Sequence, residues 1–217
     1  LSPWARAMRR AFYCGEWIQS HSLHIHLLAA PDFFGCGSAI ELAKIAPDAV
    51  RRGLRLQGLG NALMDLFGAR SVHPVGVRIG GFHAAPPAAK VRALRERLVA
   101  ALPEAEALIR WAAAIPLPPD DQDFISVAMR HPDRYAIEQG DIAASDGLSI
   151  GADAYDAHFA ERHAPHSTAL YSDYRGRPYL VGPLARLNLN PDRLPERLRA
   201  LLAEIGFSPP SRNMFHS

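Results

Sequence analysis

The spacing of apolar residues predicts a mostly helical first half of the chain. Residues 4–30 contain no proline, and their apolar side chains recur every three or four positions, which is typical of one amphipathic helix. Ser2 and Pro3 suit the start of that helix, because a serine oxygen caps free N–H groups and proline fits the first turn. Pro31 is expected to end it.

Two further helical stretches are predicted before residue 116. One covers residues 38–67 with a step at Pro47, and the other covers residues 87–115 with a restart at Pro103, where a backbone donor is missing. The segment 71–87 between them is rich in β-branched residues, glycine and proline, so we expect it to be extended or looped. The helices on its two sides should form an antiparallel helical hairpin.

The pattern changes after Pro116. Short apolar segments alternate with glycine, aspartate and proline, which indicates a small β-containing section with short helices around residues 154–162 and 191–205. We therefore expect an α+β fold that is mostly α, with a long-helix bundle in residues 1–116 and a small αβ section in residues 117–217. The predicted strands cover residues 124–129, 135–137, 148–150, 169–171 and 179–181.

Composition and charge exclude several classes of protein. The chain is 48% hydrophobic and 21% charged, as expected for a folded protein, and its net charge of +2 comes from basic residues that are spread along the chain. A nucleic-acid-binding surface is therefore not indicated, and the basic run Arg51, Arg52 and Arg55 is interpreted as the solvated face of a helix. No apolar run reaches the roughly 20 residues that span a bilayer.

The start of the sequence bears on cellular location and on whether the chain is a fragment. No signal peptide is recognisable, so a cytoplasmic location is expected by default. The chain begins at Leu1 and not at a methionine, which suggests a fragment of a longer protein.

Histidines supply the first set of candidate functional residues. His21 and His24 lie three residues apart on one face of the first predicted helix, while His26 should point elsewhere. Two imidazoles at this spacing bind a metal only with ligands from outside the helix, and the nearest carboxylates, Glu16 and Asp32, have no obvious ligating position. The simpler interpretation is that these histidines are hydrogen-bonded inside a helix bundle.

A second set of candidates lies in the segment between the helices. His73 precedes Pro74, and the pair Gly80 and Gly81 follows a few residues later. Paired glycines let a backbone approach a partner or ligand closely, or they simply form a turn, and the sequence favours neither. Cys14 and Cys36 do not have the spacing of metal ligands. The residues by themselves show no complete active site.

Four blocks of sequence resemble the large subunit of nickel–iron hydrogenases. The block CGEWIQSHSLH at residues 14–24, continued by PDFFG at 31–35, resembles a signature helix of that family, most of all in its cytosolic sulfhydrogenase and NAD(P)-linked branch. Three further blocks follow in the family's order, at residues 68–82, 144–147 and 179–186. Asn213 with residues 215–217 resembles the start of the family's next helix. The resemblance covers this whole chain but only about the middle half of the family's usual length.

The resemblance implies a frame without the catalytic metals. The family holds nickel and iron through two Cys-x-x-Cys motifs near its ends, and neither motif, nor the family's proton-relay glutamate or its arginine over the metals, has a counterpart here. Cys14 and Cys36 do not match those ligands, so we expect no catalytic or metal-binding residue in this chain, and no activity from it alone.

The resemblance also implies roles for four residues that lie near cofactors without binding them. His73 matches the family's His-Pro block, which lies toward the small subunit near its proximal iron–sulfur cluster. An imidazole there could donate a hydrogen bond to the cluster and tune its potential. His21 and His24 match buried histidines that support the bundle around the metal pocket. Arg186 matches an arginine with a structural or interfacial role.

The resulting hypothesis is an oxidoreductase that catalyses reversible H2 oxidation at a nickel–iron centre in the full-length protein. Electrons would leave through iron–sulfur clusters of a small subunit toward NAD(P)-linked subunits, and this segment would supply scaffold and small-subunit interface. Two alternatives remain open. One is a non-catalytic interaction protein derived from the hydrogenase large subunit, and the other is a metal-binding helical protein that uses His21 and His24.

Overall fold

The structure is a computed structural model that describes residues 1–214, so the predicted helix start at 215–217 lies outside the described residues. The chain falls into two units, Leu1–Pro116 and Leu117–Ser217. The first unit is helical apart from one short hairpin. Its elements are α1 (Pro3–Leu23), a π-helical turn (His24–Ala29), α2 (Ala30–Phe33), α3 (Ala39–Ile45), α4 (Pro47–Gly68), β1 (Val77–Arg78), β2 (Gly81–Phe82), α5 (Ala88–Ala100) and α6 (Leu102–Ala113).

Helices α1 and α4 form the centre of the first unit, and glycine lets their backbones touch. A Cβ placed on Gly60 would lie 2.6 Å from the carbonyl oxygen of Gly15 and closer still to the nitrogen of Gln19. The Ser22 hydroxyl also donates a 2.9 Å hydrogen bond to the carbonyl of Gly53. Contacts of this kind leave no room for side chains at the crossing, and they fix the position of α1 on α4.

Helices α5 and α6 also pack against α4. Leu59 and Leu63 of α4 form a buried cluster with Leu94 of α5. At the surface, Arg55 of α4 pairs with Glu104 of α6 at 2.9 Å. The helical stretches predicted on both sides of residues 71–87 are confirmed, with the expected breaks at Pro47 and before Pro103.

The prediction that Pro31 ends the first helix is wrong. The chain continues from α1 through the π-helical turn into α2, and Pro31 lies in the first turn of α2. A proline inside an α-helix lacks a donor and clashes with the carbonyl four residues earlier. The wider π-helical turn directly before Pro31, closed by the bond from the Ala30 N–H to the Ile25 carbonyl, removes this conflict.

The second unit contains short strands and helices. The elements are β3 (Ile125–Arg130), β4 (Asp141–Ala144), β5 (Ser149–Ile150), a 3₁₀ turn (Ala152–Ala157), β6 (Phe159–Arg162), β7 (Tyr171–Tyr174), β8 (Tyr179–Leu180), α7 (Pro183–Leu189), a 3₁₀ turn (Pro191–Arg193) and α8 (Glu196–Glu204). Four of the strands form a sheet with the order β5-β4-β3-β8, in which the β3–β8 pair is parallel and the other two pairs are antiparallel. A separate antiparallel hairpin is formed by β6 and β7. The core contains Val127, Ala144, Phe159 and Tyr174.

Several element predictions in the second unit need correction. The helix predicted at 154–162 is a short 3₁₀ turn followed by strand β6, because Phe159 is buried in the core when its segment pairs with β7. The predicted strand at 135–137 does not form. The helix predicted at 191–205 is interrupted before α8, since Pro195 cannot continue a helix from the preceding residue. Even so, the α+β class with a majority of helix is confirmed.

Candidate functional site

The loop that carries His73 is held against the end of α4. The carbonyl of Gly68, the last residue of α4, accepts hydrogen bonds from the N–H groups of Val75 at 2.9 Å and Gly76 at 2.8 Å. The chain leaves the helix through Ala69 in the left-handed region, with φ 66°. Gly76 in turn accepts from the N–H of His83 at 2.9 Å. These bonds fold the loop back onto the helix and join it to the β1–β2 hairpin.

Phe82 anchors the hairpin itself. Its ring is buried and lies 6.5 Å from the rings of Trp4 and Phe12 on α1 and 6.2 Å from that of Phe67 on α4. Gly80 adopts a φ of 85° at the turn between the strands. Gly80 therefore lies in a turn and Gly81 begins β2, which supports the turn interpretation of the paired glycines.

His73 is displayed at the surface of this anchored loop. Its backbone lies in the left-handed region at φ 50°, and its carbonyl accepts a hydrogen bond from Nε of Arg70. The imidazole is exposed. Three apolar side chains near it in the sequence, Val72, Val75 and Ile79, are also exposed, and Ile79 is fully so. We call Val72, His73, Val75 and Ile79 the hairpin surface.

The structure corrects the prediction for the helix histidines. His24 is exposed in this chain, and His21 is half-buried with its ring stacked at 6.3 Å on Trp17. The buried histidine is His26, which was expected to point elsewhere. Ser22 and His26 are four residues apart, which is the ordinary helical spacing for one face, so the face that α1 buries continues from Ser22 to His26 in the π-helical turn. The sequence signal for the π-helical turn was Pro31, which follows a long helical pattern that no capping residue ends.

His26 lies in a closely packed group. Its Nδ1 donates to the carbonyl of Ser22 at 2.9 Å, and its Nε2 accepts from Nε of Arg52 at 3.3 Å. The indole of Trp111 stacks on the imidazole at 5.4 Å, and the ring of Phe34 stacks on Trp111 at 5.8 Å. The guanidinium of Arg52 lies over the same indole at 5.3 Å. We call His26, Arg52, Trp111 and Phe34 the His26 cluster.

Burial and the neighbouring charge of Arg52 both favour the neutral form of the His26 imidazole. Burial lowers the pKa of His26, and the charge of Arg52 lowers this pKa further, while the bond to the Ser22 carbonyl opposes the shift. Arg52 is half-buried, so the prediction that it belongs to a solvated basic face is wrong. That prediction suits its neighbours Arg51 and Arg55, which are exposed.

Arg186 lies in α7, in the second unit. It is half-buried and hydrogen-bonds to Tyr135, whose hydroxyl pKa is raised by burial and lowered in part by the Arg186 charge. The backbone carbonyl of Arg186 also accepts from the side chain of Asn190, which is fully buried and donates to Met129 of β3 as well. The contacts of Arg186 therefore fasten α7 inside its own unit.

The residues described do not fit a nickel–iron centre. A centre of that kind needs several cysteine thiolates close together, and the sequence contains two cysteines, Cys14 and Cys36. Among residues 1–214, no group of three or more histidine, cysteine, aspartate or glutamate side chains is placed to hold a metal ion. The alternative of a metal site built on His21 and His24 therefore gains no support from the structure.

Within the same 214 residues, no helix combines the length and the apolar character needed to cross a membrane.

Similarity to solved structures defines the class of fold. The whole chain superposes on 54% of a chain of an NAD+-reducing [NiFe]-hydrogenase, with a TM-score of 0.85 and 24% sequence identity. It also matches a [NiFeSe]-hydrogenase from Dm. baculatum over 94% of this chain and 54% of that one, with a TM-score of 0.62 and 16% identity. The fold is that of a hydrogenase large subunit.

Similarity to curated proteins defines the family. The chain is 32% identical to sulfhydrogenase 1 subunit alpha of Pyrococcus furiosus over 191 residues, which are 87% of this chain and 45% of that protein. It is 28% identical to sulfhydrogenase 2 subunit alpha of the same organism, over 91% of this chain and again 45% of the relative. No protein-family model matches. The chain is a homologue of these hydrogenase alpha subunits, and it spans about half the length of the curated relatives it matches.

Proposed function

We propose that this chain is part of the large subunit of a nickel–iron hydrogenase, which catalyses reversible H2 oxidation. The observation that carries the proposal is the 32% identity to a sulfhydrogenase alpha subunit across 87% of the chain. The fold, with its TM-score of 0.85 to a chain of an NAD+-reducing [NiFe]-hydrogenase, supports it. We propose further that the second unit is the smaller αβ section of the same large-subunit fold, and that the protein is cytoplasmic.

The role proposed for this chain is structural: it supplies the frame that supports the metal-binding parts of the large subunit. The described residues do not fit a nickel–iron centre, so we place the ligands of that centre on parts of the full-length protein that this chain lacks. When bound there, the centre would supply the activation of H2. His21, Trp17 and the packed α1–α4 pair would then support the frame around it, and Arg186 would fasten the second unit.

The hairpin surface is proposed as the contact with the hydrogenase small subunit. It exposes three apolar side chains on a loop that Phe82 and the Gly68 carbonyl hold in place, and exposed apolar side chains on a fixed loop are typical of subunit interfaces. The exposed imidazole of His73 could donate a hydrogen bond to an iron–sulfur cluster of that partner and raise its reduction potential. NAD(P)-linked subunits are proposed as the next carriers of electrons, since one structural neighbour is an NAD+-reducing enzyme.

The proposal is tested by purifying from its own cells the full-length protein to which we assign this chain, and by assaying the reduction of a viologen dye by H2. We expect H2-dependent dye reduction, together with nickel in the same fraction and a co-purifying iron–sulfur subunit. A native protein that carries no nickel and reduces no dye, yet still binds a partner subunit, would overturn the proposal. That result would support the non-catalytic interaction protein instead.

A further inference from the structure

The π-helical turn is fastened to the rest of the first unit by one buried side chain. Within residues 24–29, His26 is buried, whereas His24 and Leu28 are exposed. We propose that the His26 cluster is a proton-sensitive switch: the π-helical turn is held on α4 and α6 while His26 is neutral, and protonation of His26 releases it. This proposal does not rest on the proposed function.

The hydrogen bonds of His26 admit one tautomer. A guanidinium has no acceptor, so the Nε of Arg52 must donate, and Nε2 of His26 must carry a lone pair. The carbonyl of Ser22 can only accept, so Nδ1 of His26 must carry the proton. The neutral imidazole therefore satisfies both neighbours, one on α1 and one on α4.

A second proton would break this arrangement. Protonated Nε2 would turn a donor toward the Arg52 donor 3.3 Å away, and two cations would then lie side by side in a place where the imidazole has no exposed surface. Arg55 and Glu104 act on Arg52 with opposite signs, and they pair with each other at 2.9 Å. Arg52 is the charge that acts on His26 itself, and it opposes protonation of the imidazole.

The imidazolium also has no room to move within its site. Gly53 of α4 lies directly beneath the ring, since a Cβ there would lie 2.6 Å from both Cβ and Cγ of His26. Trp111 covers one face of the imidazole, and Phe34 of the chain just beyond α2 stacks on that indole. Relief of the repulsion between His26 and Arg52 requires either that the π-helical turn moves away from α4, as we propose, or that the half-buried Arg52 side chain leaves the imidazole, and the backbone amides of the turn distinguish the two.

The direction of the pH dependence follows from the buried state. The pKa of His26 is lower in the folded chain than the ordinary value of about 6.5 that applies when it is unfolded. Between these two pKa values the unfolded chain binds more protons than the folded one, so the free energy of unfolding falls as pH falls. The contribution of the neutral imidazole is complete above about pH 6.5 and is lost as pH drops toward the folded-state pKa.

The test is an NMR titration of the 15N-labelled 217-residue chain from pH 8 to pH 5, with long-range spectra that distinguish imidazole tautomers. We expect one histidine with the Nδ1–H tautomer that titrates below pH 6.5. Its signal should be absent in His26→Gln and present in the control His24→Gln, which changes an exposed histidine of the same turn. Backbone amides of residues 24–33 should shift in the same step, while those of α5 should not.

A second variant keeps the test decisive if His26→Gln fails to fold. Arg52→Gln keeps an N–H donor for Nε2 but removes the positive charge, so the midpoint of the His26 titration should move upward toward the ordinary value. The proposal is overturned if His26 shows the Nε2–H tautomer or if its midpoint does not move in Arg52→Gln. It is also overturned if His26 titrates without any shift of the amides of residues 24–33, or only together with global unfolding.

Discussion

At the scale of single residues, glycine sets the distance between α1 and α4. Gly15 and Gly60 face each other across the two helices, and backbone atoms of one helix occupy the space where the side chain of the other would stand. Backbone atoms cannot move aside as a flexible side chain can. The separation of the two longest helices therefore depends on the absence of a single methyl group.

We predict that Gly60→Ala lowers the free energy of unfolding by about 3 kcal/mol, because the new methyl group must push α1 away from α4. Gly58→Ala is the matched control. It lies on the same helix, is exposed and has open space around it, so the better helix propensity of alanine should raise the free energy of unfolding by about 0.5–1 kcal/mol. Urea unfolding followed by circular dichroism measures both values, and equal effects of the two variants would contradict this account.

The histidines show how far residue-level prediction reaches in this chain. The turn at Gly80 is a local feature, and the sequence contained it as one of two open interpretations. The burial of His26 was missed, because α1 buries the face that carries Gly15 and Ser22, whereas the prediction was made for the face with His21 and His24. The partial burial of Arg52 was also missed, because the indole that its guanidinium covers belongs to Trp111, on a helix almost sixty residues later.

At the scale of elements, the second unit depends on pairings between segments that are distant in the sequence. The apolar spacing around residues 154–162 fits a helix as well as a strand, and pairing of β6 with β7 decides in favour of the strand. Tyr174 of β7 then reaches the turn between β4 and β5, where its hydroxyl donates to the carboxylate of Asp146 at 3.0 Å. Such long-range pairings are not visible in local periodicity, which is why the helical first unit was easier to predict.

We predict that Tyr174→Phe lowers the free energy of unfolding by about 1 kcal/mol, because it removes a buried hydrogen bond that joins β7 to the β4–β5 turn. The control is Tyr171→Phe, three residues earlier on the same strand, whose ring is 40% exposed. Its effect should stay within about 0.5 kcal/mol. Chemical unfolding curves of the two variants give the comparison, and an unchanged midpoint for Tyr174→Phe would rule out the proposed contribution.

At the scale of the whole molecule, the exposed apolar side chains of the first unit bear on assembly. We predict that Ile79→Asp at the tip of the hairpin surface reduces capture of the hydrogenase small subunit at least tenfold, since a carboxylate there must be desolvated in an apolar interface. Val99→Asp, a change at a half-exposed valine of α5, should bind the small subunit as the unchanged chain does. Co-expression followed by affinity purification measures both, and full capture by Ile79→Asp would contradict the proposed interface.

The central claim is that this chain carries the frame of a hydrogenase large subunit without the metal site. The family relationship was recognisable in the sequence because four blocks follow in order, whereas neither the sequence nor the structure places metal ligands together in residues 1–214. Elemental analysis of the purified 217-residue chain, produced in cells that can assemble nickel–iron centres, tests this most directly. We expect only trace nickel in this chain, and one nickel per chain would contradict the absence of a metal site.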